Sequence, residues 1–179
     1  MSTEPTGIAP QQFRDLMASV CAPVTVVTAA VGGVPHGATV SSFASLSLQP
    51  PLISIALDRR SALLGHIRNQ GRFAVNLLGQ GQAELATVFA RRDLDRFACA
   101  EWYFDHGLPR LRGTAGWLEA TVHAFVDGGD HELILGHVEA AGRAEQAPLI
   151  YAHRTFGTHS HFAQRPRPLI IDQIAACAR

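Results

Sequence analysis

The chain has 179 residues, 47% of them hydrophobic, with 15 basic and 15 acidic side chains and a formal net charge of zero. That length suits one domain around a single core, and the balanced charge lacks the basic excess that neutralising a nucleic-acid backbone requires. All fifteen basic residues are arginine, which excludes Schiff-base chemistry on lysine and lysine-dependent phosphoryl transfer.

Residues 1–10 read as a flexible lead. From Gln11 to Val20 the apolar residues Phe13, Leu16, Met17 and Val20 recur three and four apart, which predicts a helix. The β-branched run Val24-Thr25-Val26-Val27-Thr28 predicts a strand, Gly32-Gly33 a hairpin turn, and Gly37-Ala38-Thr39-Val40 the returning strand. Beyond Pro50-Pro51, the near-continuous apolar run Leu52–Leu57 predicts a strand covered on both faces. Ser61 is placed to cap a short helix carrying Leu63, Leu64 and Ile67, which Gly71 would end. Phe73–Leu78 predicts another strand, and Gln82–Arg91, with Leu85, Val88 and Phe89 on one side, an amphipathic helix.

Residues 92–112 mix aromatic and charged groups without a period and read as a long ordered loop with a binding role. Trp117–Val126 alternates, Asp127-Gly128-Gly129-Asp130 turns the chain, and His131–Ala141 returns as a strand. Leu149-Ile150-Tyr151 is a last short strand. About seven strands with two or three helices predict a mainly β fold, a closed or nearly closed antiparallel barrel with helical trim. Its expected extent is 11–162, followed by a tail over 163–179. Cys21, Cys99 and Cys177 form no C-x-x-C pair, so neither a disulfide framework nor a zinc knuckle fits. With no secretory leader and no run of eighteen apolar residues, the expectation is a cytoplasmic protein without membrane contact.

Six of the eleven residues in Gly37–Ser47 are glycine or hydroxylic. They read either as a hydroxyl-rich edge strand or as a polar cradle for a phosphate or a polar ring edge. Asp58-Arg59-Arg60-Ser61 opens a helix directly after a strand, where unpaired amides and an arginine fork favour an anion. Together they predict a phosphate-bearing ligand. His131, at the mouth of its strand, is a rim residue or orients a planar ligand. His153, His159 and His161 lack an accompanying carboxylate, and no functional metal site is expected. Neither G-x-S-x-G nor G-x-G-x-x-G occurs, so a dinucleotide would be bound without a Rossmann fingerprint.

Six segments in register resemble the short-chain flavin reductases. They are Phe13-Arg14-x-x-Met17, Val24–Thr28, Gly37–Pro51, Asp58–Ser61 with Gly71–Leu78, Gly129-Asp130-His131 with Gly136-His137-Val138, and Pro148–Tyr151. The likeness runs over about residues 12–157. It implies an FMN-binding antiparallel split β-barrel, a homodimer, that uses NADH or NADPH to reduce FMN or FAD and passes reduced flavin to a monooxygenase. Carried over onto this sequence, Thr39, Val40, Ser41 and Ser42 would face the isoalloxazine edge and ribityl chain. Ser45, Leu57, Asp58, Arg59 and Ser61 would hold the phosphate end. Gly129 and His131 would line the nicotinamide side, His131 as the catalytic group, and Phe97 and Phe156 would supply aromatic cover. Hydride transfer asks mainly for two rings held roughly 3–3.5 Å apart with water excluded, which small hydroxyls, amides and one histidine can do. Two other readings stay open. One is a non-catalytic split-barrel protein that stores or senses flavin or haem, with His153, His159 and His161 as ligands; the other is a flavoenzyme with its own organic substrate.

Overall fold

The computed structural model describes residues 7–159. In chain order the elements are α1 (Pro10–Ala18), β1 (Ala22–Pro23), β2 (Thr25–Val31), β3 (Val34–Val40), β4 (Ala44–Leu48), β5 (Pro51–Asp58), α2 (Ala62–Gln70), β6 (Arg72–Leu77) and α3 (Ala83–Ala90). They continue through a 3-10 turn at Phe97–Cys99 to β7 (Trp102–Asp105), β8 (Leu108–Leu111), β9 (Gly116–Gly128), β10 (His131–Arg143), β11 (Ile150–Ala152) and β12 (Thr155–Gly157). Gly32 and Gly33 take positive φ at the β2–β3 turn, and Gly71 ends α2 in the left-handed conformation, where a side chain would be strained.

Seven strands form one antiparallel sheet in the order β3-β2-β6-β9-β10-β5-β4. Its inner face supplies Val27, Val40, Ile55, Phe73, Leu118 and Ile134 to one core, and α2 plugs that core with Leu63, Leu64 and Ile67. Residues from strands at opposite ends of the order share this core, so the sheet is rolled, and β3 faces β5 across a seam. Burying Phe73, Ile55 and Ile67 completely contributes roughly 1.5–3 kcal/mol each.

A second core lies on the other side of β2. Val24, Val26 and Leu78 pack there against Ala86 and Phe89 of α3, with Phe97, Leu111 and Leu149. β2 is therefore buried on both faces, as is β6 over Phe73–Asn76. The same expectation for Leu52–Leu57 is corrected: on β5 only Ile53, Ile55 and Leu57 are buried, alternating with half-buried Leu52, Ser54 and Ala56. No described layer covers the outer face of β5, whereas α3 covers that of β2.

The segment 92–112 is corrected as well. It folds as the 3-10 turn and the β7–β8 hairpin, and its Phe97, Trp102 and Phe104 extend an edge-to-face row from Phe89 of α3, with successive centroids 5.1, 5.2 and 5.1 Å apart. Asn76 ties the hairpin to the sheet by accepting from the Leu111 N–H at 2.9 Å and donating to the Val26 carbonyl at 3.2 Å. The strands are also more numerous than expected: β4, β7, β8 and β12 are short pieces without a long alternating pattern. Cys21 and Cys99 are exposed free thiols, while Cys177, His161 and the tail lie outside the described residues. Among the described residues no helix is long and apolar enough to cross a membrane, and no three His, Cys, Asp or Glu side chains are grouped to hold a metal.

Candidate active site

A groove of about 540 Å³ opens along the seam, within the range of roughly 300–1,000 Å³ usual for small-molecule sites. Ala38, Thr39 and Val40 of β3 form one wall, the Ser41–Ser42 link its floor, and Ala56, Leu57 and Asp58 of β5 the other wall. The start of α2 (Ser61, Ala62, Leu63) and His131 stand at one end; Phe89, Ala90, Arg92 and Arg96 complete the lining. Gly37 lets β3 lie against α3, because a Cβ there would come 3.0 Å from the Phe89 ring and 3.2 Å from the Val27 carbonyl.

The hydroxyls of the ledge have separate tasks. Thr39 donates to the Ala86 carbonyl at 2.6 Å, which fixes α3 to β3. Ser42 bridges the seam, accepting from the Ala56 N–H at 2.8 Å and donating to its carbonyl at 3.0 Å. Ser41 and Ser61 make no side-chain hydrogen bond within the described residues. Ser61 occupies the helix N-cap position without the capping bond expected of it, so its hydroxyl and the first amides of α2 stay open to a ligand.

The Asp58–Ser61 corner is differently wired than the sequence suggests. Asp58 accepts from Arg60 at its backbone N–H (2.7 Å), Nε (3.1 Å) and Nη2 (2.9 Å). The Arg60 guanidinium and amide hold the Asp58 carboxyl well below the usual carboxylate range. Arg59, expected at the phosphate, is absent from the groove lining. It donates from Nε to the Gly129 carbonyl at 2.7 Å and from Nη2 to Asp127 at 2.5 Å, and its backbone N–H reaches the Asp130 carbonyl at 3.1 Å. Arg59 thus clamps the β9–β10 turn. Gly129 sits in that turn with φ +77°, its carbonyl taken by the clamp, and it does not line the groove.

His131 is the first residue of β10, paired with Asp58 of β5. Its Nδ1 lies 2.7 Å from an Asp130 carboxylate oxygen. An ionised carboxylate only accepts, so Nδ1 carries the proton and Nε2 is the ring's open nitrogen.

Of the residues expected at the site, Thr39, Val40, Ser41, Ser42, Leu57, Asp58, Ser61 and His131 come together at the groove. Ser45 does not: it lies on β4, paired with Ile53. Phe97 is buried in the second core against Phe89 and Trp102, and Phe156 packs beside Tyr151 at its margin. Phe97 is a member of the aromatic row, and Phe156 packs on Tyr151 against the second core. Arg60, a member of the Asp58–Ser61 motif, lines the groove, as do Arg92 and Arg96, which the sequence did not single out. The charged character of 92–112 was the available signal, but nothing local says which arginine turns inward. Arg96 donates from Nε to the Arg91 carbonyl at 2.6 Å and from Nη1 to the Gly37 carbonyl. Burial, and secondarily the Arg92 charge, push its guanidinium below the ordinary arginine value.

A rolled antiparallel sheet with a polar, arginine-bearing groove along its open seam defines a split β-barrel of the small-molecule-binding kind. Residues 17–160 match the sequence model of the family described as flavin reductase like domain. The chain is 35% identical over 147 residues to the reductase component of 4-hydroxyphenylacetate 3-monooxygenase from Thermus thermophilus, covering 82% of this chain and 94% of that one. It is 36% identical over 151 residues to a Rhizobium meliloti protein described as a probable flavin reductase, covering 83% of this chain but spanning only 49% of that protein's length. Among solved structures, the NADH:FAD oxidoreductase of Streptomyces globisporus, in complex with NAD and FAD fragments, superposes with a TM-score of 0.81 at 30% identity, covering 86% of this chain and 96% of that one. The chain belongs to the flavin reductase like domain family, and the split barrel expected from the resemblance is the fold observed.

The groove fits a flavin by its own chemistry. It offers open hydroxyls at Ser41 and Ser61, unpaired helix amides, and three arginines against the single, already neutralised carboxylate of Asp58. A flat, polar-edged, anionic ligand matches that donor set.

Proposed function

We propose that the chain is an NAD(P)H-dependent flavin reductase that binds FMN or FAD in the seam groove and supplies reduced flavin to a partner monooxygenase. The observation that carries this reading is the groove itself, rich in donors and short of free acid, in a chain of this family. The coenzyme supplies, when bound, the capacity to take two electrons as hydride from a nicotinamide. The protein's tasks are to orient and to exclude water. Thr39, Val40, Ser41 and Ser42 form the ledge, and Leu57, Asp58 and Ser61 the opposite corner. His131, its tautomer set by Asp130, stands where a nicotinamide would enter and is the proposed catalytic residue. Neither hydride donor nor acceptor needs a strong protein acid or base, so the lack of lysine costs the reaction nothing.

The protein functions as a homodimer in the cytosol. Support comes from two apolar surfaces without a described partner. α1 buries none of its residues and leaves Phe13, Leu16 and Met17 about half exposed, and β4 presents Leu48 at 84% exposure. Surfaces of this kind mark interfaces, and a second copy of this chain is the proposed occupant. The working unit spans residues 11–162, with 1–10 and 163–179 as lead and tail.

Purified protein mixed with FMN or FAD and with NADH or NADPH should consume the nicotinamide, read at its absorbance band. Consumption that does not depend on added flavin would sink the reading. Flavin that stays bound through dialysis without turnover would replace it with a storage or sensing role. Sedimentation at micromolar concentration should give twice the chain mass.

A further inference from the structure

Among the described residues Glu132 is the one buried residue with a charged side chain, and nothing in the proposed chemistry uses it. It directly follows His131 on β10. Successive side chains of a strand point to opposite faces. His131 lies opposite Asp58 and lines the groove, whereas Glu132 lies opposite Leu57 and turns into the barrel. There its Oε2 accepts from Nη2 of Arg68, in the last turn of α2, at 2.5 Å. The Arg68 guanidinium also lies over the Phe125 ring of β9, 4.3 Å from its centroid. One ion pair therefore joins α2, β9 and β10 directly behind the histidine.

We propose that Glu132 and Arg68 are positioning residues for hydride transfer: they fix the start of β10 against α2, so that His131 meets the nicotinamide in one orientation. This rests on the reading of His131 as the residue at the nicotinamide side. Packing alone does not account for the pair. Taking a carboxylate out of water is costly, and apolar side chains of similar volume commonly stabilise such a place as well or better. Leu57 across the strand and Phe125 beneath Arg68 are both apolar, so a leucine at 132 would suit the inner face. What an apolar pair lacks is direction, because a carboxylate and a guanidinium fork fix both distance and angle. His131 needs that direction, since it begins its strand and is preceded only by the turn that Arg59 clamps. α2 is itself plugged into the core by Leu63, Leu64 and Ile67, which makes the helix the fixed member and the strand end the guided one.

The test separates position from packing. The full chain is compared as wild type, as Glu132→Leu combined with Arg68→Met, as Glu132→Gln, as His131→Ala, and as His131→Ala carrying the apolar pair. Each is read by thermal midpoint, by flavin titration, and by single-turnover oxidation of NADH by the flavin-loaded protein. The apolar pair should keep or raise the midpoint and hold the flavin dissociation constant within about twofold, yet slow hydride transfer about tenfold or more. Glu132→Gln still offers Arg68 an oxygen and should stay within about threefold of wild type. With His131→Ala the apolar pair should cost nothing further, because residues that act through one another are not additive. An apolar pair as fast as wild type, a Glu132→Gln as slow as the apolar pair, or losses that multiply with His131→Ala overturns the assignment. Should the double substitution fail to fold, Glu132→Leu alone decides, since the Arg68 side chain is half exposed and can turn to water. A His131→Ala as fast as wild type overturns the role of the histidine and this inference with it. A wild type that oxidises no NADH with either flavin would instead overturn the flavin-reductase reading itself.

Discussion

The hydroxyl of Ser42 meets both backbone groups of Ala56, the N–H at 2.8 Å and the carbonyl at 3.0 Å, and so stands in for a strand partner where the barrel fails to close. One short side chain thereby sets the separation of the walls on either side of the groove. Ser42→Ala removes both bonds and should lower stability by about 1–2 kcal/mol, read as a shift in the urea midpoint. Flavin affinity should fall with it, because the floor of the groove loses its tether. An unchanged flavin titration would show that the seam keeps its width without this bridge.

Arg59 acts on the site without touching it. It holds the β9–β10 turn by the Gly129 carbonyl and Asp127, two and four residues before His131. We expect Arg59→Ala to change the NADH Michaelis constant or the hydride-transfer rate by up to about tenfold, through misplacement of His131, while the flavin dissociation constant stays within about twofold. Asp127→Asn should do the same more weakly, and the double variant should be no worse than Arg59→Ala alone. Additive losses would separate the two residues.

His36 of β3 stacks on His66 of α2, with ring centroids 3.9 Å apart and planes inclined by 29°. Burial, and then the His66 charge, hold His36 below the ordinary value of 6.5. The fold therefore prefers the neutral ring, and between the folded and unfolded pKa values the unfolded chain binds more protons. Stability is accordingly complete above about pH 6.5 and declines as the pH falls through that value towards the folded one. The thermal midpoint should drop between about pH 7.5 and about pH 5, and drop less in His36→Gln. Equal slopes for the two proteins would assign the acid loss to other groups.

Asn76 is fully buried on β6 and serves both the Val26 carbonyl and the Leu111 N–H. Asn76→Ala leaves the Leu111 donor buried and unpaired, at a cost of about 1–3 kcal/mol. The β7–β8 hairpin should loosen first, raising hydrogen exchange over residues 102–111 before the main sheet responds. Uniform exchange across the sheet would contradict a local tether.

The main strands, the three helices, the Gly32-Gly33 and Gly71 punctuation and the hydroxyl ledge were legible from the residues alone. They follow from alternation, helical spacing and φ preferences, all of which act over a few neighbours. Which face of a strand is covered was not legible: Leu52–Leu57 reads as doubly buried, yet it is β2 and β6 that are buried on both faces, while β5 is buried on one. The direction of a side chain was equally hidden. Arg59 and Arg60 are adjacent in a turn, but one reaches across to Asp127 and the other folds back on Asp58. Phe97 joins an aromatic row instead of covering the groove, and Arg92 and Arg96 arrive at the groove from more than thirty residues beyond the corner thought to hold the anion. The sequence alone determined the elements and the family. Where the charges of the groove lie was decided only by tertiary structure, because a charge's partner is chosen by distance in space and not by distance along the chain.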